Sequence, residues 1–257
     1  MAKPFSFNVA EAMKSGVYAS GTTGAGKSDI LMYCADALRE AGVTVFILDP
    51  SQDWMNRFPI RYVVNFNVRD SKAAINNDLS SIQLRDAIFD ISNLTTMQIQ
   101  EVADQFCWML FYHQTMLPQQ ARKPFFIIFE EAQIVLPQGV MKAKRLQNIV
   151  RLFTVGRNFG IRVGVITQFA SMVDKDAMKY CKQRYLGWTD EMNDVHYIRN
   201  FIGEEKAESL KFFHSGEFMY SFPTENILDK IKIEPYKRIA SKDRSTIEWN
   251  FSLPSYV

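Results

Sequence analysis

The stretch GTTGAGKS at residues 21–28 decides the fold of this 257-residue chain. It fits the pattern G-x-x-x-x-G-K-[ST] without a mismatch, between a predicted strand at 16–20 and a predicted helix at 27–41. Glycines let backbone N–H groups turn inward around anionic oxygens, and the helix N-terminus adds donors and the positive end of a dipole. We therefore expect a phosphate-binding loop in which Lys27 contacts the β- and γ-phosphates and Ser28 offers its hydroxyl to Mg²⁺.

The nucleotide-binding segment that this motif predicts extends one residue beyond the motif itself. A chance glycine-rich turn is the alternative, but the full match and its strand–helix context favour a phosphate loop. The candidate binding residues are Gly21, Thr22, Thr23, Gly24, Ala25, Gly26, Lys27, Ser28 and Asp29.

Short apolar runs alternate with longer amphipathic segments along the chain. The predicted strands cover residues 43–48, 61–66, 87–91, 125–129, 161–167, 185–188 and 216–222. One predicted helix is capped by Thr95, with Gln98 at the capping-box position, and another covers residues 142–159. The alternation favours an α/β fold, with a mainly parallel sheet and helices on both faces.

Composition divides the chain into three parts. An N-terminal segment (1–15) precedes a central α/β domain (16–223), and a tail (224–257) follows that has two prolines and no long helical pattern. We expect the tail to be irregular or to add an edge strand to the domain.

Charge, cysteines and hydropathy exclude several classes of protein. Thirty Lys and Arg against 28 Asp and Glu give a net charge of +2, too weak to indicate a nucleic-acid binder by charge alone. Three widely spaced cysteines argue against a disulfide framework or a cysteine-based zinc site. The apolar runs are too short to span a bilayer, and the N-terminus lacks the apolar core of a signal peptide. We expect a soluble cytoplasmic protein without direct membrane insertion.

Two carboxylates follow the most apolar predicted strand, FFIIF at 125–129. We expect Glu130 to complete the Mg²⁺ shell, and Glu131 to orient or deprotonate the water that attacks the γ-phosphate. The alternative is a solvated pair at the start of a helix, where acidic residues are favoured.

Two further polar residues are candidates for catalysis. Gln168 follows the predicted strand at 161–167, and its amide would point into the crevice where ligands bind. Arg157 ends the predicted basic helix and could reach a phosphate in its own or a neighbouring subunit. Gln168 could instead merely begin a loop, and Arg157 could simply offset the helix dipole.

Seven segments in this order resemble the HerA/FtsK superfamily of P-loop DNA-translocating ATPases, and in particular its HerA-like branch. Together they extend over roughly residues 16–222, which is most of the chain, and Gln133 stands where many relatives have His. The segments are GTTGAGKS (21–28), ILDPSQDW (47–54), AIFDISNLT (87–95), FFIIFEEAQ (125–133), GRNFGIRVGVITQ (156–168), YLGWTDEMNDVHYIRNFIG (185–203) and HSGEFMY (214–220).

The resemblance implies a RecA-like P-loop NTPase of the ASCE type, with the Gln168 strand between the P-loop strand and the Glu130 strand. It implies ATP and Mg²⁺, Walker A and Walker B roles for the two motifs, and a ring, with a hexamer favoured. DNA, with double-stranded DNA favoured, would pass through the ring. Nucleotide would lie between subunits, so Arg157, Arg151 or Arg184 would act across the interface.

In its small size, the chain resembles the compact genome-packaging ATPases of viruses. This implies a packaging motor in the host cytoplasm or the virion, with a capsid or portal component as its docking partner. A conjugation, secretion or filamentous-phage extrusion motor of the same superfamily is the alternative, as is a nucleotide-binding protein without motor activity.

Two basic clusters are candidate DNA contacts. Lys142, Lys144 and Arg145 follow the Glu130 segment and would multiply their charge around a ring. The second cluster comprises Lys175, Lys179 and Lys182. Each cluster could instead be an ordinary solvated helix face.

Overall fold

The computed structural model describes residues 3–5, 7–69, 84–139, 146–237 and 244–252. Its helices are α1 (Val9–Ser15), α2 (Lys27–Glu40), α3 (Asp53–Arg57), α4 (Thr96–Met116), α5 (Gln147–Val155), α6 (Lys175–Tyr180), α7 (Met192–Ile202) and α8 (Glu204–Ser209). Its strands are β1 (Lys3–Pro4), β2 (Val17–Ser20), β3 (Thr44–Asp49), β4 (Tyr62–Arg69), β5 (Ala87–Asp90), β6 (Phe125–Phe129), β7 (Ile161–Thr167), β8 (Gln183–Gly187), β9 (Glu217–Phe222), β10 (Ile227–Lys232) and β11 (Ser245–Ser252).

The described strands form one mixed sheet in the order β1-β10-β9-β8-β2-β7-β6-β3-β5-β4-β11. Neighbouring strands are parallel except β9, which runs antiparallel to β8 and β10. In the centre, β7 pairs with the P-loop strand β2 on one side and with β6 on the other. This is the position that the sequence resemblance implies for the strand leading to Gln168.

Strand β6 shows how the apolar sequence produces a sheet covered on both faces. All five residues of FFIIF are fully buried, and successive side chains point to opposite faces. Phe125, Ile127 and Phe129 pack in a core with α4 and α5, whereas Phe126 and Ile128 pack in a second core with α2. A run without polar alternation is therefore what this central position requires.

The helix boundaries agree with the sequence at α4 and differ at α5. The Thr95 hydroxyl accepts a hydrogen bond from the Gln98 backbone amide, and the Gln98 side chain accepts one from the Thr95 backbone amide. The expected capping box is therefore present. Of the helix expected at 142–159, residues 142–145 lie outside the described residues. The described helix runs from Gln147 to Val155, after Leu146 with a left-handed φ of 53°. A short 3₁₀ segment, Gly156–Phe159, follows it.

The segment 224–257 supplies strands to both ends of the sheet. Strand β10 pairs with β9 and with β1, and β11 pairs in parallel with β4 from Ser245 opposite Tyr62 onward. The tail is thus partly an edge extension, which is one of the two alternatives that the sequence leaves open.

The cysteines are consistent with simple packing. Cys34, Cys107 and Cys181 are free and buried, and burial raises the pKa of each thiol. Within the described residues, no helix combines the length and apolarity needed to cross a bilayer.

Candidate nucleotide site

The loop between β2 and α2 has a backbone that favours glycine. Gly21, Gly24 and Gly26 have φ values of 150°, 81° and 94°, which L side chains rarely adopt. A Cβ at position 21 would also lie 3.0 Å from the Trp188 carbonyl oxygen. The glycines thus permit the tight turn that the phosphate-loop prediction requires.

Several backbone donors of this loop have no hydrogen-bond partner among the described residues. The amide of Thr22 donates to Trp188 and that of Ala25 donates to Thr22, whereas the amides of Thr23, Gly24 and Gly26 bond to no described residue. Unpaired N–H groups before the first turn of a helix fit an anionic ligand such as a triphosphate.

The side chain of Lys27 folds back onto the phosphate loop that precedes it. Its side chain is 7% exposed, and its Nζ donates to the Thr22 carbonyl oxygen at 2.9 Å. Burial lowers the pKa of Lys27, while the negative charges of Glu130 and Glu131 oppose that shift. The structure therefore brings the predicted lysine and both predicted carboxylates within electrostatic range of one another.

Glu130 lies at the carboxyl end of β6, with 7% of its surface exposed. Its Oε2 accepts a hydrogen bond from the indole of Trp54 at 2.6 Å, and its Oε1 lies 3.5 Å from Ser28 Oγ. Burial raises the pKa of Glu130 to about 8, with Glu131 and Asp49 adding to the shift, and Trp54 and Lys27 opposing it. A cation at this point would remove the electrostatic cost of the buried carboxylate.

The Ser28–Glu130 pair fits a magnesium site in which phosphate oxygens and water supply the remaining ligands. Among the described residues, no group of three or more His, Cys, Asp or Glu side chains forms a metal cluster. Mg²⁺ is usually held by one or two protein oxygens, with substrate phosphates and water completing an octahedron. A hydroxyl and a carboxylate beside a phosphate loop match that requirement.

Glu131 is held by amides on both sides. Its backbone has a left-handed φ of 49°, which turns it away from the line of β6. Oε1 accepts a hydrogen bond from Gln168 Nε2, and Oε2 accepts one from Gln133 Nε2 at 2.6 Å. The predicted water-activating carboxylate therefore has a fixed position at the mouth of the site.

Gln168 connects this carboxylate to the phosphate loop. Its Oε1 accepts a hydrogen bond from Thr23 Oγ1 at 2.8 Å while its Nε2 donates to Glu131. Because β7 lies between β2 and β6, a side chain at its tip can reach both neighbours. The structure thus brings Gln168 into the site.

These groups line one cleft of about 340 Å³ at the carboxyl ends of the central strands. Arg57 reaches into it and forms ion pairs with Asp29 and with Asp53, the latter at 3.1 Å. Asp29 also accepts a hydrogen bond from the Tyr236 amide at 2.9 Å, so its carboxylate supports the wall of the cleft. The lining residues are Thr23, Gly24, Gly26, Lys27, Ser28, Asp29, Ser51, Asp53, Arg57, Glu130, Glu131 and Gln168.

The predicted arginines do not meet in this cleft. Arg157 lies before β7, at the opposite end of a seven-residue strand that is about 23 Å long. Arg184 is buried and donates to the carbonyl oxygens of Met178 and Cys181, and Arg151 lies over the rings of Phe111 and Phe159. Within one chain, Arg157 therefore does not reach the phosphate loop, and action on a neighbouring copy stays a prediction.

The two basic clusters differ in whether the structure describes them. Lys142, Lys144 and Arg145 lie outside the described residues. Lys175 and Lys179 lie exposed on α6, where Lys179 pairs with Asp176 at 2.9 Å, and Lys182 follows that helix.

Sequence reasoning gave no site role to Trp54, Asp49 or Gln133. Asp49 is fully buried at the end of β3 and accepts a hydrogen bond from the Met55 amide at 3.0 Å, which fixes the turn into α3 and so places Trp54. The run Asp-Pro-Ser-Gln-Asp-Trp indicates only a turn after a buried strand. The strand order, with β3 next to β6, is what brings Trp54 to Glu130.

Comparison with known proteins yields no matching family model. The probable helicase MJ1565 of Methanocaldococcus jannaschii is 23% identical over 130 residues, which make up 49% of this chain and 25% of that protein. The match therefore spans a quarter of the length of that relative.

Solved structures share the fold at low sequence identity. The genome packaging NTPase B204 from Sulfolobus turreted icosahedral virus 2, in complex with ATP-gammaS, has a TM-score of 0.64 and 16% identity over 86% of this chain and 98% of that chain. The bacterial conjugative coupling protein TrwBdeltaN70, in complex with sulphate, has a TM-score of 0.65 and 12% identity over 91% and 88%. The expected α/β P-loop NTPase fold and the resemblance to packaging and coupling NTPases are confirmed.

Proposed function

We propose that the protein hydrolyses ATP with Mg²⁺ and uses the energy to move double-stranded DNA, as a viral genome-packaging motor. One observation supports ATP hydrolysis: the glycine loop, Lys27, Glu130 and Glu131 line a single cleft at the carboxyl ends of β2 and β6, which flank β7. A loop alone would suffice to bind a nucleotide, whereas a second carboxylate in a fixed position suits the activation of water.

ATP would bind with its phosphates on the free amides of the loop. The Lys27 amine would leave the Thr22 carbonyl oxygen for the β- and γ-phosphates, because a charged acceptor forms the stronger hydrogen bond. Ser28 and Glu130 would hold Mg²⁺, which when bound offsets charge on the phosphate oxygens.

Glu131 would accept a proton from the attacking water, or orient that water toward the γ-phosphate. Its two amide partners leave it in a fixed place, so less reorganisation is needed at the moment of reaction. Gln168 would sense the γ-phosphate, because it lines the cleft and bonds to both Thr23 of the loop and Glu131.

The DNA-moving role is supported by the relatives with this fold. B204 from Sulfolobus turreted icosahedral virus is a DNA-packaging ATPase, and the B204 of Sulfolobus turreted icosahedral virus 2 has been solved with ATP-gammaS and with AMPPCP. We extend this to a homo-oligomeric ring, with a hexamer favoured, and a capsid or portal component as partner. In such a ring Arg157 would act on the neighbouring site, and Lys142, Lys144 and Arg145 would contact DNA phosphates.

A conjugative motor is the second candidate. TrwB, a plasmid coupling protein, shares the fold to the same degree as B204. Such a motor would respond to single-stranded DNA, which separates the two candidates by experiment.

The test measures ATP hydrolysis without DNA, with duplex DNA and with single-stranded DNA. We expect duplex DNA to stimulate the wild-type protein, Lys27→Ala to abolish nucleotide binding, and Glu131→Gln to bind ATP but hydrolyse it about 10²- to 10⁴-fold more slowly. The exposed residues Lys206 and Glu205 provide matched controls as Lys206→Ala and Glu205→Gln. Wild-type hydrolysis by Glu131→Gln would overturn the catalytic assignment, and equal rates with and without either DNA would overturn the motor.

A further inference from the structure

A second cleft, larger than the nucleotide cleft, opens at the amino ends of the strands, opposite the carboxyl ends that form the nucleotide cleft. It measures about 410 Å³ and lies at the amino ends of β3, β4 and β5. Three arginines line it together with a single carboxylate, that of Asp86. The lining residues are Arg39, Gly42, Val43, Thr44, Arg61, Tyr62, Leu84, Arg85 and Asp86.

The carboxylate in this cleft is already engaged. Asp86 Oδ2 pairs with Arg39 Nε at 2.9 Å, and its Oδ1 accepts a hydrogen bond from the Val45 amide at 2.8 Å. Asp86 therefore neutralises Arg39 and caps the start of β3. Among the described residues, Asp86 contributes no ion pair to the other two arginines, Arg61 and Arg85.

Arg61 and Arg85 share one aromatic ring instead of a carboxylate. Their guanidinium carbons lie 5.8 and 5.5 Å from the centre of the Tyr62 ring, and Arg85 donates to the Tyr62 hydroxyl at 2.5 Å. Within the described part of the chain, neither arginine has a carboxylate within ion-pair distance. Both side chains are exposed, so two positive charges lie beside one ring where an anion from solvent can contact both.

The chemistry of the cleft selects phosphate among anions. Guanidinium groups present planar, paired donors that match phosphate oxygens, and the Tyr62 ring restricts their motion, so less entropy is lost on binding. A half-buried tyrosine beside them adds contact area for a sugar or an ester carbon.

We propose that Arg61, Arg85 and Tyr62 form a second phosphate-binding site, distinct from the nucleotide cleft, whose phosphate comes from a DNA backbone. The choice of DNA rests on the proposed function. A free pyrophosphate or nucleotide carries the same chemistry, and the experiment separates the two sources.

The test uses the full chain with Lys27→Ala in every sample, so that the nucleotide cleft contributes no phosphate affinity. Two probes are titrated: a fluorescein-labelled duplex of arbitrary sequence, and inorganic pyrophosphate. The variant is R61Q/R85Q, and the matched control is R199Q/K206Q, which removes the same charge from an exposed helical surface. Circular dichroism and melting temperature verify that both variants fold.

We expect R61Q/R85Q to weaken duplex binding at least ten-fold and the control to change it less than two-fold. The slope of log affinity against log salt should become shallower by about 0.9 for each DNA phosphate that the variant no longer neutralises. The variant R61K/R85K, which keeps the charges but not the paired donors, should recover part of the affinity.

Loss of pyrophosphate binding alone would support the phosphate site and assign it to a free phosphate compound. Unchanged binding of both probes by folded R61Q/R85Q would overturn the site. A parent protein that binds pyrophosphate but no duplex would count against the proposed DNA function, and the pyrophosphate titration would then decide the site by itself.

Discussion

Gln133 Nε2 donates to Glu131 Oε2 at 2.6 Å, while Gln133 Oε1 accepts a hydrogen bond from Thr167 Oγ1 at 2.8 Å. The side-chain amide of Gln133 thus links Thr167, the last residue of β7, to Glu131. Gln133 is a positioning residue for the carboxylate that we assign to water activation.

Substitution Gln133→Ala should lower kcat for ATP hydrolysis roughly ten-fold, a part of the full contribution of a positioned base. KM for ATP should change little, because Gln133 lies outside the cleft that binds the phosphates. Steady-state kinetics separate the two parameters. Thr167→Val, which removes the hydroxyl partner of Gln133, should act in the same direction more weakly. A variant that raises KM and leaves kcat alone would contradict the positioning role.

Substitution Trp54→Phe should weaken the affinity of the site for metal. The indole donates to Glu130 and favours its charged form, so its removal raises the carboxyl pKa further, and a protonated carboxyl binds Mg²⁺ poorly. We expect a several-fold higher Mg²⁺ concentration for half-maximal hydrolysis, and a decrease in stability of about 1–3 kcal/mol because a buried hydrogen bond is removed.

Trp108→Phe is the matched control, because that tryptophan is exposed and stacks on Tyr112. Urea unfolding and a magnesium titration are the measurements. An unchanged magnesium requirement in Trp54→Phe would show that the indole does not influence the Glu130 carboxylate.

The buried carboxyl of Glu130 should make metal-free stability depend on pH. Its pKa is raised to about 8, whereas an unfolded glutamate titrates near 4.5. Between these values the folded protein holds a proton that the unfolded chain has released, so the free energy of unfolding falls as pH rises from about 4.5 to about 8.

Chemical denaturation at pH 5, 6.5 and 8 with a chelator checks this linkage. Glu130→Gln should gain stability over the wild type progressively across this range, because glutamine has no proton to lose. A constant difference between the two proteins at all three pH values would refute the linkage.

Gly216 couples the antiparallel strand β9 to the phosphate loop. Its amide donates to the Ala25 carbonyl oxygen at 3.0 Å, its φ is 79°, and a Cβ there would lie 2.6 Å from the Ile233 carbonyl oxygen. Gly216→Ala should therefore destabilise the fold by more than the about 1–2 kcal/mol of a left-handed alanine and should weaken ATP binding.

Gly203→Ala isolates the backbone contribution. Gly203 has a similar φ of 84°, but no atom lies within 4 Å of the position of its Cβ. Thermal melts and a fluorescent ATP analogue are the measurements. Equal decreases in the two variants would exclude the clash as the cause.

The residues that the structure brings together at the centre of the candidate site carry local sequence signals. The loop at 21–28, the run FFIIF and the strand ending at Thr167 each contain their own pattern, and parallel strands bring their carboxyl ends together. Lys27, Glu130 and Gln168 meet for that reason, and their catalytic roles stay predictions.

The supporting residues were less predictable because their roles arise from strand order. Trp54 reaches Glu130 only because β3 is next to β6, although 76 residues separate the two side chains in sequence. Arg157 illustrates the opposite case, since a short distance in sequence from Gln168 becomes the length of a whole strand in space. Such placements depend on the direction of the chain through the sheet, which local patterns do not specify.

The segment after Pro223 covers both rims of the sheet, with β10 on β9 and β11 on β4. Truncation before this segment would leave two rows of unsatisfied N–H and C=O groups, each a template for another chain. Shortened versions of the protein should consequently self-associate through strand addition, so soluble preparations for biochemical work need to retain residues up to β11.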